Sequence, residues 1–144
     1  MSYTPEMTPS IFTYMGEVLG IRLTSESDAF KAVTKGIATR NYLAISKVLS
    51  FPIDLVGPET TIRRRVAKKE TFNESESEKI VRVARVYAEA VELFGDRQMA
   101  IDWFKRPAEY VRGSAPITPM ALAATDAGAR IVESHIRRTA NGIY

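Results

Sequence analysis

The 144-residue sequence has no cysteine and a single histidine, His135. Without cysteine there is no disulfide, no thiolate nucleophile and no cysteine zinc site, which suits a reducing compartment. One histidine rules out a multi-histidine metal site and argues against a Ser-His triad. A glycine-rich phosphate loop, a Gly-x-Ser-x-Gly elbow and metal-ligand spacing are missing too. Long apolar runs are also scarce. The longest uncharged stretch, Gly113 to Thr125, is broken by Pro116 and Pro119, whereas a spanning helix needs about 20 apolar residues. No membrane crossing is expected. Met1 to Ser10 has no basic region leading into an apolar run, so no secretory signal is expected and the expected compartment is the cytoplasm.

Paired acids, Glu89 with Glu92 or Glu76 with Glu78, could suggest general acid–base chemistry. On a helical reading, however, Glu78, Glu89 and Glu92 take the exposed side and Glu76 belongs to a helix cap. His135 sits near Arg137 and Arg138 and reads as a surface or packing residue. Trp103, Phe104 and Tyr110 read as core. No catalytic residue and no cofactor is expected, so the chain does not read as an enzyme.

With 45% apolar and 26% charged residues the composition is that of a globular protein of one domain or two small ones. The net charge of +3 is unevenly placed. Its excess falls before Glu74, with Arg63, Arg64, Arg65, Lys68 and Lys69 in one short segment. Local charge of this kind speaks of a polyanionic partner rather than of fold.

The recurring period is helical, and strand-like alternation is missing, so the expected class is all-α. After an N-terminal arm, Ile11, Met15, Val18 and Leu19 predict a first helix ending near Gly20. Ser25 caps a second, which stops at Gly36. Asn41 to Leu49 is helical again. A short helix is expected over Pro52 to Val56, then a turn at Gly57-Pro58 and a second helix from Glu59 to about Lys69. Asn73 and Glu76 form a capping box for the longest helix, with Ile80, Val83, Ala84, Tyr87, Val91 and Phe94 on one face and Gly95 as its stop. Asp96 caps a helix that buries Met99, Ala100, Trp103 and Phe104. Thr118-Pro119 opens another, and a last helix runs from about Asp126 to Thr139.

At about 100° per residue, Arg64, Arg65 and Lys68 lie within about 60° of Thr61, while Ile62 and Val66 point away. One face is then apolar and the opposite one offers Thr61, Arg64, Arg65 and Lys68; with the adjacent Thr60 and Arg63 these are the expected DNA contacts. This is the layout of a helix-turn-helix recognition helix. Arg64 could pair with guanine, and Thr61 could contact a thymine methyl or a phosphate.

The run Thr61-Ile62-Arg63-Arg64-Arg65 is followed by Glu76 to Val86, Ala90 to Asp96 and Ala100 to Phe104. Pro116-Ile117, Thr125 to Glu133 and Asn141-Gly142-Ile143-Tyr144 complete the series. Together these resemble the antitoxins of RES-Xre type II toxin–antitoxin systems, from about Gly36 to Tyr144. The resemblance implies an N-terminal Xre-like helix-turn-helix domain over residues 1–72 and a C-terminal helical Xre/MbcA/ParS toxin-binding and dimerisation domain over 73–144. It also implies a homodimer that neutralises a RES-domain, NAD-degrading toxin by blocking its NAD pocket and represses its own operon at promoter DNA. Asn141, Gly142, Ile143 and Tyr144 would be the inhibitory residues, supported by Arg137 and Arg138. The turn Gly57-Pro58-Glu59 departs from the commoner glycine-hydrophobic-serine form, which implies altered DNA contacts. Met1 to Ser10 carries no basic side chain to grip a minor groove. The alternative is a helix-turn-helix transcription regulator without a toxin partner.

Overall fold

The computed structural model describes residues 10–142; the expected arm, Met1 to Pro9, lies outside them. The described residues form eight α-helices: α1 (Ile11–Leu19), α2 (Glu26–Lys35), α3 (Thr39–Leu49), α4 (Glu59–Ala67), α5 (Glu74–Phe94), α6 (Arg97–Phe104), α7 (Pro119–Ala123) and α8 (Asp126–Ala140). A 3-10 turn at Ile53–Leu55 precedes α4. In place of a strand there is one antiparallel bridge, Ala108 to Ile117, closing the loop between α6 and α7. The expected all-α class is what the described residues show.

Local chemistry sets most helix ends. Ser10, Ser25, Asp96, Thr118 and Thr125 each accept a hydrogen bond from a backbone N–H in the first turn, removing one of the unpaired donors there. Asn73 and Glu76 form the complete capping box, each side chain taking the other's backbone N–H at 2.8 Å. Gly20 and Gly95 end α1 and α5 in the left-handed region. Gly36 is constrained differently. Its φ is +96°, and a Cβ there would meet Thr71 Cγ2 at 2.5 Å and the Phe72 carbonyl oxygen at 2.6 Å.

α5 is the axis of the fold, with α1, α2, α6, α7 and α8 packed around it. Ile80, Val83, Ala84, Val86 and Ala90 are fully buried along it. The buried apolar residues on both sides of residue 72 form one cluster. Polar ties also cross that point: Ser77 Oγ accepts from the Ile37 N–H at 2.8 Å, and the Phe72 N–H donates to the Ile37 carbonyl at 2.9 Å. Tyr42 anchors the N-terminal part of the core, edge-on to Phe51 and Phe72, with its hydroxyl donating to the Phe51 carbonyl at 2.6 Å.

The short helix expected over Pro52 to Val56 is present as a single 3-10 turn, Ile53–Leu55. It is confined between Phe51 and Val56, both buried, which leaves no length for a second α-turn. Met99 is 54% exposed rather than core, because the eight-residue α6 buries only Ala100 and Phe104.

Candidate nucleic-acid interface and partner face

α4 follows Pro58 and has no side-chain cap. Ile62 is fully buried, Val66 is half-buried, and both face the interior. Gly57 allows the preceding turn to close on this helix, since a Cβ there would lie 3.2 Å from Ile62 Cδ1. The opposite side exposes Thr60, Arg63, Arg64 and Lys68, with Thr61 half-buried. Arg63 pairs with Glu59 one turn back, its Nε at 3.1 Å, and Arg64 Nε lies 3.4 Å from Glu70. These exposed pairs contribute little to stability and can be exchanged for another anion. Lys68 has no ion pair among the described residues.

Arg65 departs from the expected DNA face. Its side chain is half-buried, with Nε 2.8 Å from Glu76 Oε1 on α5. On the helical wheel Arg65 falls between Thr61 and buried Ile62, so a long side chain can turn either way. The buried carboxylate turns it inward. Thr60, Thr61, Arg63, Arg64 and Lys68 therefore remain together on the outer face, and Arg65 does not join them.

The second face lies where α8 ends beside α5. Arg137 and Arg138 are exposed in the last turn of α8, where cations favour the helix dipole. Asn141 caps the helix, donating its N–H to the Arg137 carbonyl, and Gly142 follows at φ +74°. Both are exposed. Ile143 and Tyr144 lie outside the described residues. A groove of ≈ 350 Å³ runs alongside, lined by Ile11, Glu89, Leu93, Ile136 and Arg137 among others.

Glu89 is a residue the sequence reading placed wrongly. It is half-buried rather than on the solvent side, and its Oε1 has no well-formed hydrogen bond among the described residues, with the Glu133 carboxyl its nearest polar neighbour. Burial, then Glu133 beside it, push its carboxyl up to about 8, against the opposing pull of Arg85 and Arg137. Helical period alone carried no signal of this, because the burial comes from α8 packing on α5, which brings Glu133 to Glu89. His135 is a packing residue, edge-on to Tyr110 with ring centres 5.3 Å apart. Phe104 is core as expected, while Trp103 and Tyr110 are half-buried beside it.

The described chain is thus an all-helical protein with a cationic helix face and a second, mixed-charge face at the end of α8. Among the described residues no helix is long and apolar enough to cross a membrane. No family model matches the chain. It is similar to proteins named Antitoxin Xre from three bacteria. It is 41% identical over 81 residues to that of Photorhabdus laumondii, covering 56% of this chain and 53% of the relative. It is 35% identical over 88 residues to that of Yersinia enterocolitica, covering 60% and 57%. The likeness to that of Pseudomonas putida is 27% over 124 residues, covering 83% and 76%. The chain spans about half the length of the first two relatives.

Proposed function

We propose that this protein is the antitoxin of a type II toxin–antitoxin system. The observation that carries this reading is the similarity to three proteins named Antitoxin Xre, one of them over 83% of the chain. The partner proposed is a RES-domain toxin that degrades NAD. Its neutralisation is assigned to the segment after α8, Asn141 to Tyr144, entering the NAD pocket with Arg137 and Arg138 in support. A glycine in that segment lets it bend at modest cost, and a tyrosine brings apolar area with a polar tip. The reading also takes the protein as a homodimer that represses its own promoter, with residues 1–72 contacting DNA and 73–144 contacting the toxin. Exposure of Arg64 and Lys68 on one helix face, with Arg63 exposed on its flank, supports the DNA half.

Co-expression with the protein encoded beside it, followed by growth and NAD assays, tests this reading. The full chain is expected to rescue growth and restore NAD, and removal of residues 141–144 is expected to abolish both while leaving the helical fold intact. A neighbour without toxicity or effect on NAD would overturn the antitoxin reading. Equal rescue by the shortened chain would remove the tail from the mechanism.

A further inference from the structure

A cleft of ≈ 700 Å³ opens between the loop after α1, helix α2 and the first turn of α3. Arg22 from the loop, Lys31 and Lys35 from α2 and Arg40 from α3 line it, and all four are exposed. Every ion pair among the described residues lies elsewhere.

The fold draws the nearby acids away. Glu26, at the start of α2, pairs with Arg85 of α5 at 2.7 Å, and Glu17 of α1 pairs with Arg97 of α6. Asp28 is the sole acid on the cleft wall among the described residues. Its Oδ2 already accepts the Thr24 hydroxyl at 2.7 Å and the Thr24 N–H at 2.9 Å. Charges that alternate in sequence are thereby sorted in space: four cations with no ion pair among the described residues surround one opening, and only the Asp28 carboxylate there feels Lys31 and Arg22. The first turn of α3, which has no side-chain cap, adds the positive end of its helix dipole to the same opening.

We infer that this cleft is a phosphate-binding site. Among the described residues cations line it and no aromatic side chain does, so these residues offer charge without a surface on which a base could stack. A contact of that kind positions a phosphate without reading sequence. The wall at Thr71 lies two residues beyond Lys69, and Thr39 of α3 donates its hydroxyl to the Glu70 carbonyl at 2.6 Å. The cleft is therefore joined to the cationic end of α4. This junction favours the phosphodiester backbone of DNA over a free phosphate or pyrophosphate ion. The choice of DNA rests on the proposed DNA-binding role of α4; the phosphate chemistry does not.

The test uses the full chain and the double variant Lys35→Gln/Arg40→Gln, with Arg64→Gln as the α4 comparison. Binding to a fluorescent duplex of mixed sequence is followed across a salt series, and melting temperature is measured with and without pyrophosphate. Loss of two backbone contacts should reduce the slope of log K against log salt by roughly 1.8. An unchanged slope, with pyrophosphate raising the melting temperature of the wild type but not of the double variant, supports the phosphate site and assigns it to a free ion. If neither quantity separates the double variant from the wild type, the proposal is overturned. Should the double variant misfold, Arg22→Gln, on a loop, carries the same comparison with a slope change of about 0.9. Duplex binding that responds to Arg64→Gln alone, with no pyrophosphate protection of the wild type, would uphold α4 and remove the cleft. Pyrophosphate protection without any duplex binding would do the reverse.

Discussion

Arg65 and Glu76 meet across α4 and α5 with Nε and Oε1 2.8 Å apart, their side chains only 17% and 7% exposed. The Nε–H forms no hydrogen bond, so the contact is an attraction of charges in a partly dry setting. Glu76 also takes the Asn73 N–H at 2.8 Å. One carboxylate therefore closes the cap of the central helix and fixes the flank of the basic helix. Arg65→Gln leaves Glu76 buried without its counter-charge, which should cost about 1–3 kcal/mol. Urea unfolding reads that loss. The salt slope of DNA binding should stay at the wild-type value, in contrast to Arg64→Gln. A slope reduced equally by both substitutions would put Arg65 on the DNA instead.

Glu89 makes stability depend on pH in the direction opposite to most carboxylates. Its folded value is about 8 against an ordinary 4.5, raised by burial and by Glu133. Between those values the folded protein keeps a proton that the unfolded chain has lost. Stability from this group is therefore lost as pH rises through that window. Glu89→Gln is neutral throughout, so its melting temperature should exceed the wild-type value increasingly from pH 4.5 to pH 8. Below 4.5 the two should differ least. A constant difference across the whole range would mean that Glu89 titrates as an ordinary carboxylate.

The positions of the caps and stops were readable because each depends on residues within four of one another. Ser25 with Asp28, Asn73 with Glu76, and Gly20 and Gly95 at helix ends are of this kind. Side chains on the boundary of a helix face were not readable. Arg65 and Glu89 lie where period alone permits either orientation, and in each case a residue on another helix decides. The cleft was equally hidden. Arg22, Lys31, Lys35 and Arg40 belong to three different segments, and their charges are offset in sequence by Glu17 and Glu26. Arg97 and Arg85, 80 and 59 residues away, take those acids out of play. Composition along the chain located the Arg63 to Lys69 cluster because that cluster is contiguous.

Arg137 and Arg138 are exposed at the end of α8, so they can be removed with little cost to the fold. Each contributes about 0.3–1 kcal/mol through the helix dipole. The double variant Arg137→Ser/Arg138→Ser should therefore melt within a few degrees of the wild type. Rescue from the co-expressed neighbour should nevertheless fall, because the variant has lost both cations of the proposed contact. Full rescue by a folded double variant would exclude these arginines from the toxin surface.

Gly36 and Gly95 separate two costs that glycine substitutions usually mix. Both have positive φ, +96° and +67°. Gly95 has nothing within 4 Å of a new Cβ, so Gly95→Ala should cost only the left-handed backbone penalty, about 1–2 kcal/mol. Gly36 has the backbone penalty and a collision as well. Its Cβ would meet the Phe72 carbonyl oxygen at 2.6 Å, and that backbone cannot move alone, because the Phe72 N–H donates to the Ile37 carbonyl at 2.9 Å. Relief of the collision would pull apart the junction where α2, α3 and the start of α5 meet, beneath the cleft. Gly36→Ala should therefore cost at least about 2 kcal/mol more than Gly95→Ala, within the range of overpacked sites. Urea unfolding of the two variants measures the difference. Equal losses would mean that the Gly36 junction yields without strain and that the close approach of Thr71 and Phe72 is not what fixes glycine at this position.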